Sequence, residues 1–333
     1  RYMYRYSEAL CQERIINYLK KIKSTGSVSH AYIIQDEFLE NAKTIAYAFA
    51  MSLHCQKGVE EACYSCHACK RILKNNHPDL IYVEAQNLKS ISVGDIREKI
   101  NDTVGIKPYS SLYKVYIIDR ADTMTVQAQN ALLKTMEEPP EYAVIILIAQ
   151  SLDRFLATVK SRCIKLHVSL ISNQIIVEKL IKAGVDSKLS QSLAYFSRGN
   201  LAKALTFSKE ENQKIYEENI NILTNISSSN SLELYDYAEL INSRENKIDF
   251  MDFCLMWYRD ILLLSVNKNA ENLVFKSEYR TLRKLTSVYS FSDLDSIIES
   301  INHAVEELSS NVNSKYVIKL MLMQCAKQLK NHM

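Results

Sequence analysis

His30-Ala31-Tyr32-Ile33-Ile34-Gln35-Asp36-Glu37-Phe38-Leu39-Glu40-Asn41-Ala42-Lys43-Thr44 is the stretch on which the reading of the chain turns. An apolar run, a short polar loop and a Lys-Thr pair opening a helical segment is the layout of a phosphate loop, in which G-x-x-x-x-G-K-[ST] joins strand to helix. Here Glu37 and Ala42 stand where the two glycines are required. Glycine is needed because the backbone must close around a polyphosphate with its N–H groups turned inward. Asp36, Glu37 and Glu40 also bring carboxylates to the place meant for a triphosphate. At an effective dielectric of about 20, each like-charge contact near 4 Å costs on the order of 4 kcal/mol. The alternative is that Lys43-Thr44 is simply the surface of an ordinary helix. On either reading this chain is not expected to bind nucleotide.

Working outward, the first half alternates strand-like and helix-like segments. Strands are expected at 30–35, 79–85, 114–119, 143–149 and 164–168, with helices at 41–54, 92–102, 124–138 and 152–160. The helix carrying Met124, Ala128, Ala131, Leu132 and Met136 must stop at Pro139-Pro140, where the ring and missing N–H end the ladder. Alternating β and α segments with near-continuous apolar strands predict an α/β fold with a parallel sheet covered on both faces. The strand Lys114 to Asp119 resembles a Walker-B strand, whose Asp119 would help to hold Mg²⁺. Arg120 follows, where such ATPases usually carry a water-activating Glu, and a cation cannot act as a general base.

After His167 no strand-like run is convincing and helical periodicity takes over. A small helical unit is read at 169–208 and a larger helical region at 209–333, interrupted near Ser227-Ser228-Ser229-Asn230. Its best-marked helix is expected to start at Ser292, with Asp295 completing a capping-box-like pair and Leu294, Ile297, Ile298, Ile301 and Val305 forming one apolar stripe. Trp257, with Phe253, Met256 and Ile261, fits a helix core.

The 333 residues carry a formal charge of +3 and 47% apolar residues, enough for two or three domains with no global electrostatic role. No stretch approaches the roughly 20 apolar residues of a membrane span, and the start has no secretory h-region, so a cytoplasmic protein is expected. Four of the eight cysteines, Cys55, Cys63, Cys66 and Cys69, crowd into the spacing C-x7-C-x2-C-x2-C. Four thiolates satisfy tetrahedral Zn²⁺ with no position left for water, which suggests a structural zinc knuckle at 55–69. An iron–sulfur cluster is the competitor, although the ferredoxin run continues with a further Cys and Pro where Lys70 stands here. A redox dithiol is a weaker third reading, and His54 or His67 could replace a thiolate. Cys11, Cys163, Cys254 and Cys325 read as small core residues.

In order, the chain shows His30-Ala31-Tyr32, the four-cysteine knuckle, His77-Pro78-Asp79, Asn130-Ala131-Leu132-Leu133-Lys134-Thr135, Glu137-Glu138-Pro139-Pro140 and Ser161-Arg162-Cys163. This order resembles the subunits of the bacterial DNA polymerase III clamp loader, across about residues 10 to 210 and more weakly beyond. There Asn311-Val312-Asn313 looks like the start of the family's final helix. The resemblance implies a RecA-like AAA+ domain at 1–168, a helical lid at 169–208 and an all-α collar at 209–333 that joins subunits in a ring. The family's sensor arginine would fall at Ala202, within Gly199-Asn200-Leu201-Ala202-Lys203-Ala204-Leu205. Glu37, Ala42, Arg120 and Ala202 all depart from an active ATPase, which fits the family's delta-prime type better than its gamma/tau motor. The resemblance further implies that Arg162 acts as an arginine finger on a neighbour's ATP. Taken alone, Arg162 is a surface arginine in a basic stretch with Arg154, Lys160 and Lys165.

The expected function is thus a non-catalytic stator subunit of the polymerase III holoenzyme, with no intrinsic ATPase. Its partners would be gamma/tau and delta subunits, the beta sliding clamp through the assembled loader, and primed DNA, with no membrane. Its degenerate nucleotide site would comprise Glu37, Ala42, Lys43, Thr44 and Asp119. Two rivals remain open: an ATP-hydrolysing gamma/tau-type motor, and a zinc- or cluster-bearing nucleic-acid-binding protein outside any ring.

Overall fold

The computed structural model describes residues 4–85, 90–226, 228–244, 246–266, 273–308 and 312–327. Asn311 and Ser227 lie outside the described residues. The chain divides into two compact units, 1–170 and 171–333.

The first unit opens with α1 (Glu13–Ser24), β1 (Ala31–Gln35), α2 (Glu40–His54), α3 (His67–Leu73) and β2 (Leu80–Val83). A broken helical segment follows: α4 (Val93–Ile96), a π-helical turn (Arg97–Asn101) and α5 (Asp102–Val104). Then come β3 (Lys114–Ile118), α6 (Val126–Glu137), β4 (Ala143–Ala149), α7 (Ala157–Arg162) and β5 (Ile164–His167). All strand pairs are parallel, in the order β2-β3-β4-β1-β5. Ile33 thus sits opposite Leu147 and Ile118 opposite Leu147 from the other side.

Side chains alternate across a strand, and here both faces are dry. Val144, Ile146 and Ile148 of β4 join Ala46, Phe49 and Leu53 of α2 and Leu19 of α1 in one core. Ile145, Leu147 and Ala149 join Ala128, Leu132 and Met136 of α6 in the other. This is why β4 reads as an unbroken apolar run.

Two expectations need correction here. Residues 152–156 are not helical; α7 begins only at Ala157, because Leu156 and Arg154 are bonded to Gln129 instead. The segment at 92–104 is not one regular helix either, for the π turn interrupts it.

The second unit is helical throughout its described residues: α8 (Asn173–Lys182), α9 (Ser187–Ser197), α10 (Leu201–Phe207), α11 (Glu210–Asn225), α12 (Ser231–Asn242), α13 (Ile248–Val266), α14 (Tyr279–Leu285), α15 (Phe291–Leu308) and α16 (Ser314–Lys327). Side-chain caps from Ser172, Asp186, Asn200 and Asn230 start four of these helices. The capping box of α15 is Ser290 with Asp293, two residues before the pair expected from sequence. Sequence spacing alone allows both pairs, and burial of Asp293 selects the earlier one. Phe196 of α9 meets Phe253 of α13 edge-on, and Phe253 and Trp257 pack on Phe275, so Trp257 is a core residue.

Candidate functional site

The turn from β1 into α2 joins strand to helix where a phosphate loop would stand, but N–H donors of this turn are engaged from within. Asp36 is buried, and its carboxylate accepts from Phe38 N at 3.1 Å and Ala42 N at 3.0 Å. Ala42 occupies the second glycine position, so an N–H that a phosphate loop would turn toward its ligand is bonded to Asp36 instead. Leu39 adopts φ of +65°, a left-handed conformation costing a side-chain-bearing residue about 1–2 kcal/mol. Burial of its side chain in the α2 core offsets that strain. Glu37 and Glu40 are exposed, so of the three loop carboxylates Asp36 is the one that enters the turn.

Lys43 pairs with Asp119 at 2.7 Å. Tyr82 of β2 donates to the same carboxylate oxygen at 2.7 Å. The lysine meant for phosphate and the aspartate meant for Mg²⁺ thereby neutralise one another. Thr44 lies half-buried on α2. Arg120 is exposed with φ of +48°, immediately after the strand that delivers Asp119. Asp36 and Tyr82 are the residues that sequence reasoning undervalued. Asp36 was one acid among three, and Tyr82 lies 37 positions from the aspartate it holds, with no spacing rule to link them.

Arg162 is the last residue of α7, at the sheet edge formed by β5. Its Nη1 donates to Thr158 O at 3.0 Å and its Nη2 pairs with Glu137 at 2.8 Å, with about one third of the side chain exposed. Gln129 of α6, almost fully buried, fixes the start of α7. Its Nε2 donates to Arg154 O at 3.0 Å and its Oε1 accepts from Leu156 N at 2.8 Å. Cys163 and Cys11 are half-buried rather than core residues, and burial raises the Cys163 thiol to about 12. Cys254 and Cys325 are core residues.

The four cysteines converge. The Sγ atoms of Cys55, Cys63, Cys66 and Cys69 all lie within 4.8 Å of one another. N–H donors point at the sulfurs: Gly58 and Cys63 to Cys55 at 3.1 and 3.2 Å, and Cys66 to Cys63 at 3.3 Å. The Ser65 hydroxyl and the backbone N–H groups of Ser65 and Cys66 pull the Cys63 thiol down to about 5. Gly58 has no room for a side chain, since a Cβ would lie 1.7 Å from Glu61 O. This donor set fits one ion held by four thiolates. Histidine substitution does not arise: the converging ligand atoms are the four thiols, His54 packs against His77 with ring centroids 4.5 Å apart and is lowered to about 3 by burial and His77, and His67 is exposed.

In the second unit, Ala202 lies on α10, and its neighbour Lys203 is engaged by α13. Lys203 pairs with Asp249 at 2.9 Å and Asp252 at 2.8 Å on α13.

Fold and site together define a class: an α/β unit with a five-stranded parallel sheet, whose β1–α2 turn is bonded to its own Asp36 and whose four converging cysteines could hold a metal ion, followed by a helical unit. The family model described as DNA polymerase III, delta subunit, matches residues 11–172. The delta' subunit of DNA polymerase III from Bacillus subtilis is 26% identical over 309 residues, covering 91% of this chain and 92% of that one. The tau subunit of the same organism is also 26% identical over 91% of this chain, which spans 58% of tau. A solved gamma-subunit-related protein of DNA polymerase III from Thermotoga maritima aligns over 94% of this chain and 99% of its own, at 18% identity and a TM-score of 0.47. The chain is thus similar to clamp-loader subunits of DNA polymerase III, and to delta' over most of both chains. No described helix is long and apolar enough to cross a membrane.

Proposed function

We propose that this chain is a delta-prime-type stator of a replicative clamp loader, acting in the cytoplasm without hydrolysing ATP itself. The closed nucleotide site carries the proposal: Asp36 occupies the loop donors while Asp119 holds Lys43. To admit a magnesium–nucleotide complex, the site would have to break both arrangements at once.

The chain's contribution to chemistry is then Arg162. A guanidinium supplied in trans neutralises charge that builds on a transferring phosphoryl group, and such fingers contribute about 10³ to 10⁵ in rate. The ATP would sit on a neighbouring gamma/tau-type subunit, with delta, the sliding clamp and primed DNA completing the assembly. Residues 1–168 would form the RecA-like domain, 169–208 the lid and 209–333 the oligomerising collar. Cys55, Cys63, Cys66 and Cys69 would hold a structural Zn²⁺ that stiffens the segment between α2 and α3.

A gamma/tau-type motor is the second reading, favoured by the retained Lys43-Thr44 pair and by equal identity to tau. Reconstitution with the ATPase neighbours separates the two. In the stator reading, Arg162→Ala lowers ATP turnover at the adjoining site by about 10³ or more while the complex still assembles. Unchanged turnover would refute the finger.

A further inference from the structure

We propose that Glu137 is a positioning residue for Arg162, holding its guanidinium in the orientation that meets a neighbour's phosphate. The inference rests on the finger reading of Arg162 given above.

Glu137 is the last residue of α6, and Glu138-Pro139-Pro140 follows directly. Proline cannot continue the helical ladder, so the helix end has a fixed place. Arg162 ends α7 and donates from Nη2 to Glu137 at 2.8 Å and from Nη1 to Thr158 O at 3.0 Å. The two acceptors belong to two different helices, so together they set both the direction and the plane of the guanidinium. Five N–H donors are available on that group, and these contacts use two of them, which leaves Nε–H and one hydrogen on each Nη for a ligand.

Gln129 of α6 also ties down the segment that leads into α7: its amide donates to Arg154 O and accepts from Leu156 N. The Glu137–Arg162 pair thus links two elements that Gln129 already ties together, although both side chains reach solvent, at 52% and 34% exposure. A long, unheld arginine samples many rotamers that are lost on meeting phosphate. One already held by two acceptors loses fewer, and its geometry is ready when charge develops. Exposed pairs of this kind contribute little to folding, so a function beyond stability is the better account of the arrangement.

The test uses the full chain reconstituted with its ATPase neighbours, comparing Arg162→Ala, Glu137→Ala and Glu137→Gln by kcat and KM for ATP. Melting of each isolated variant is measured alongside and is expected to match the unmodified chain. Glu137→Ala is expected to lower kcat about 3- to 10-fold with KM changed less than about twofold, the signature of an interaction realised in the transition state. Glu137→Gln keeps an acceptor oxygen and is expected to recover kcat to within about twofold. Normal kcat in Glu137→Ala beside a strongly impaired Arg162→Ala would overturn the inference and leave the finger standing. A raised kcat in Glu137→Ala would also overturn it, by showing that the carboxylate restrains the arginine. Normal kcat in Arg162→Ala would remove the finger reading and this inference together.

Discussion

Asp36 and Asp260 show how much one buried carboxylate can decide. Asp36 supplies, from within the chain, the negative charge that a phosphate loop would otherwise receive from its ligand. Asp260 does structural work in α13: it is fully buried, and its Oδ2 accepts from Val274 N at 2.8 Å and Phe275 N at 2.9 Å, tying down the chain beyond the helix. Burial raises its carboxyl from 3.8 to about 6 in spite of those two donors and the Arg259 guanidinium 3.6 Å from Oδ1. The sign follows from linkage. Between about pH 4 and 6 the unfolded chain has lost this proton while the folded chain keeps it, so stability from Asp260 is full below pH 3.8 and falls as pH rises through 6. Asp260→Asn retains an acceptor oxygen and does not titrate. Its stability relative to the parent chain should therefore rise across that window by on the order of 3 kcal/mol, then level off. Melting curves from pH 4 to 7.5 check this, and a difference independent of pH would refute it. None of it was legible in sequence, where Asp260 is one of three acids in an apolar helix. Cys55, Cys63, Cys66 and Cys69 were legible because a local spacing carries their chemistry.

At the scale of elements, legibility followed the range of the forces. β4 was read to the residue because both its faces are buried and nothing polar blurs its ends. The end of α6 was read because proline leaves no choice. The start of α7 was not, since Gln129, from another helix, decides it. The knuckle between α2 and α3 is an element with little apolar core of its own, and its order should depend on the ion. Lys23 of α1 donates to Gly58 O at 2.6 Å and Lys20 pairs with Glu61 at 3.3 Å, so α1 clasps the knuckle from outside. Zinc bound by four thiolates contributes on the order of 10 kcal/mol or more in small domains. Chelation, or Cys66→Ser, should thus lower the melting temperature and speed amide exchange across residues 55–73, with exchange in β4 nearly unchanged. Metal analysis should give one zinc per colourless chain. Stoichiometric iron with visible absorption would replace zinc by a cluster, and unchanged exchange after metal removal would refute the structural role.

For the whole molecule, the distinction is between two kinds of subunit built on one fold. The sheet order, the four cysteines and the family signature are compatible with a motor or a stator, and 26% identity to both delta' and tau leaves that balance in place. What separates them is whether the nucleotide site can open. The missing glycines were visible in sequence, whereas the closure was not: it depends on Asp36, Lys43, Tyr82 and Asp119, which meet only in three dimensions. The most direct measurement is a titration of the metal-replete chain with fluorescent ATP and Mg²⁺, run beside Lys43→Ala. The account predicts no saturable binding up to about millimolar nucleotide, equivalent to less than about 4 kcal/mol of binding free energy, in either protein. Saturable binding in the micromolar range that Lys43→Ala abolishes would contradict it and make this chain a motor.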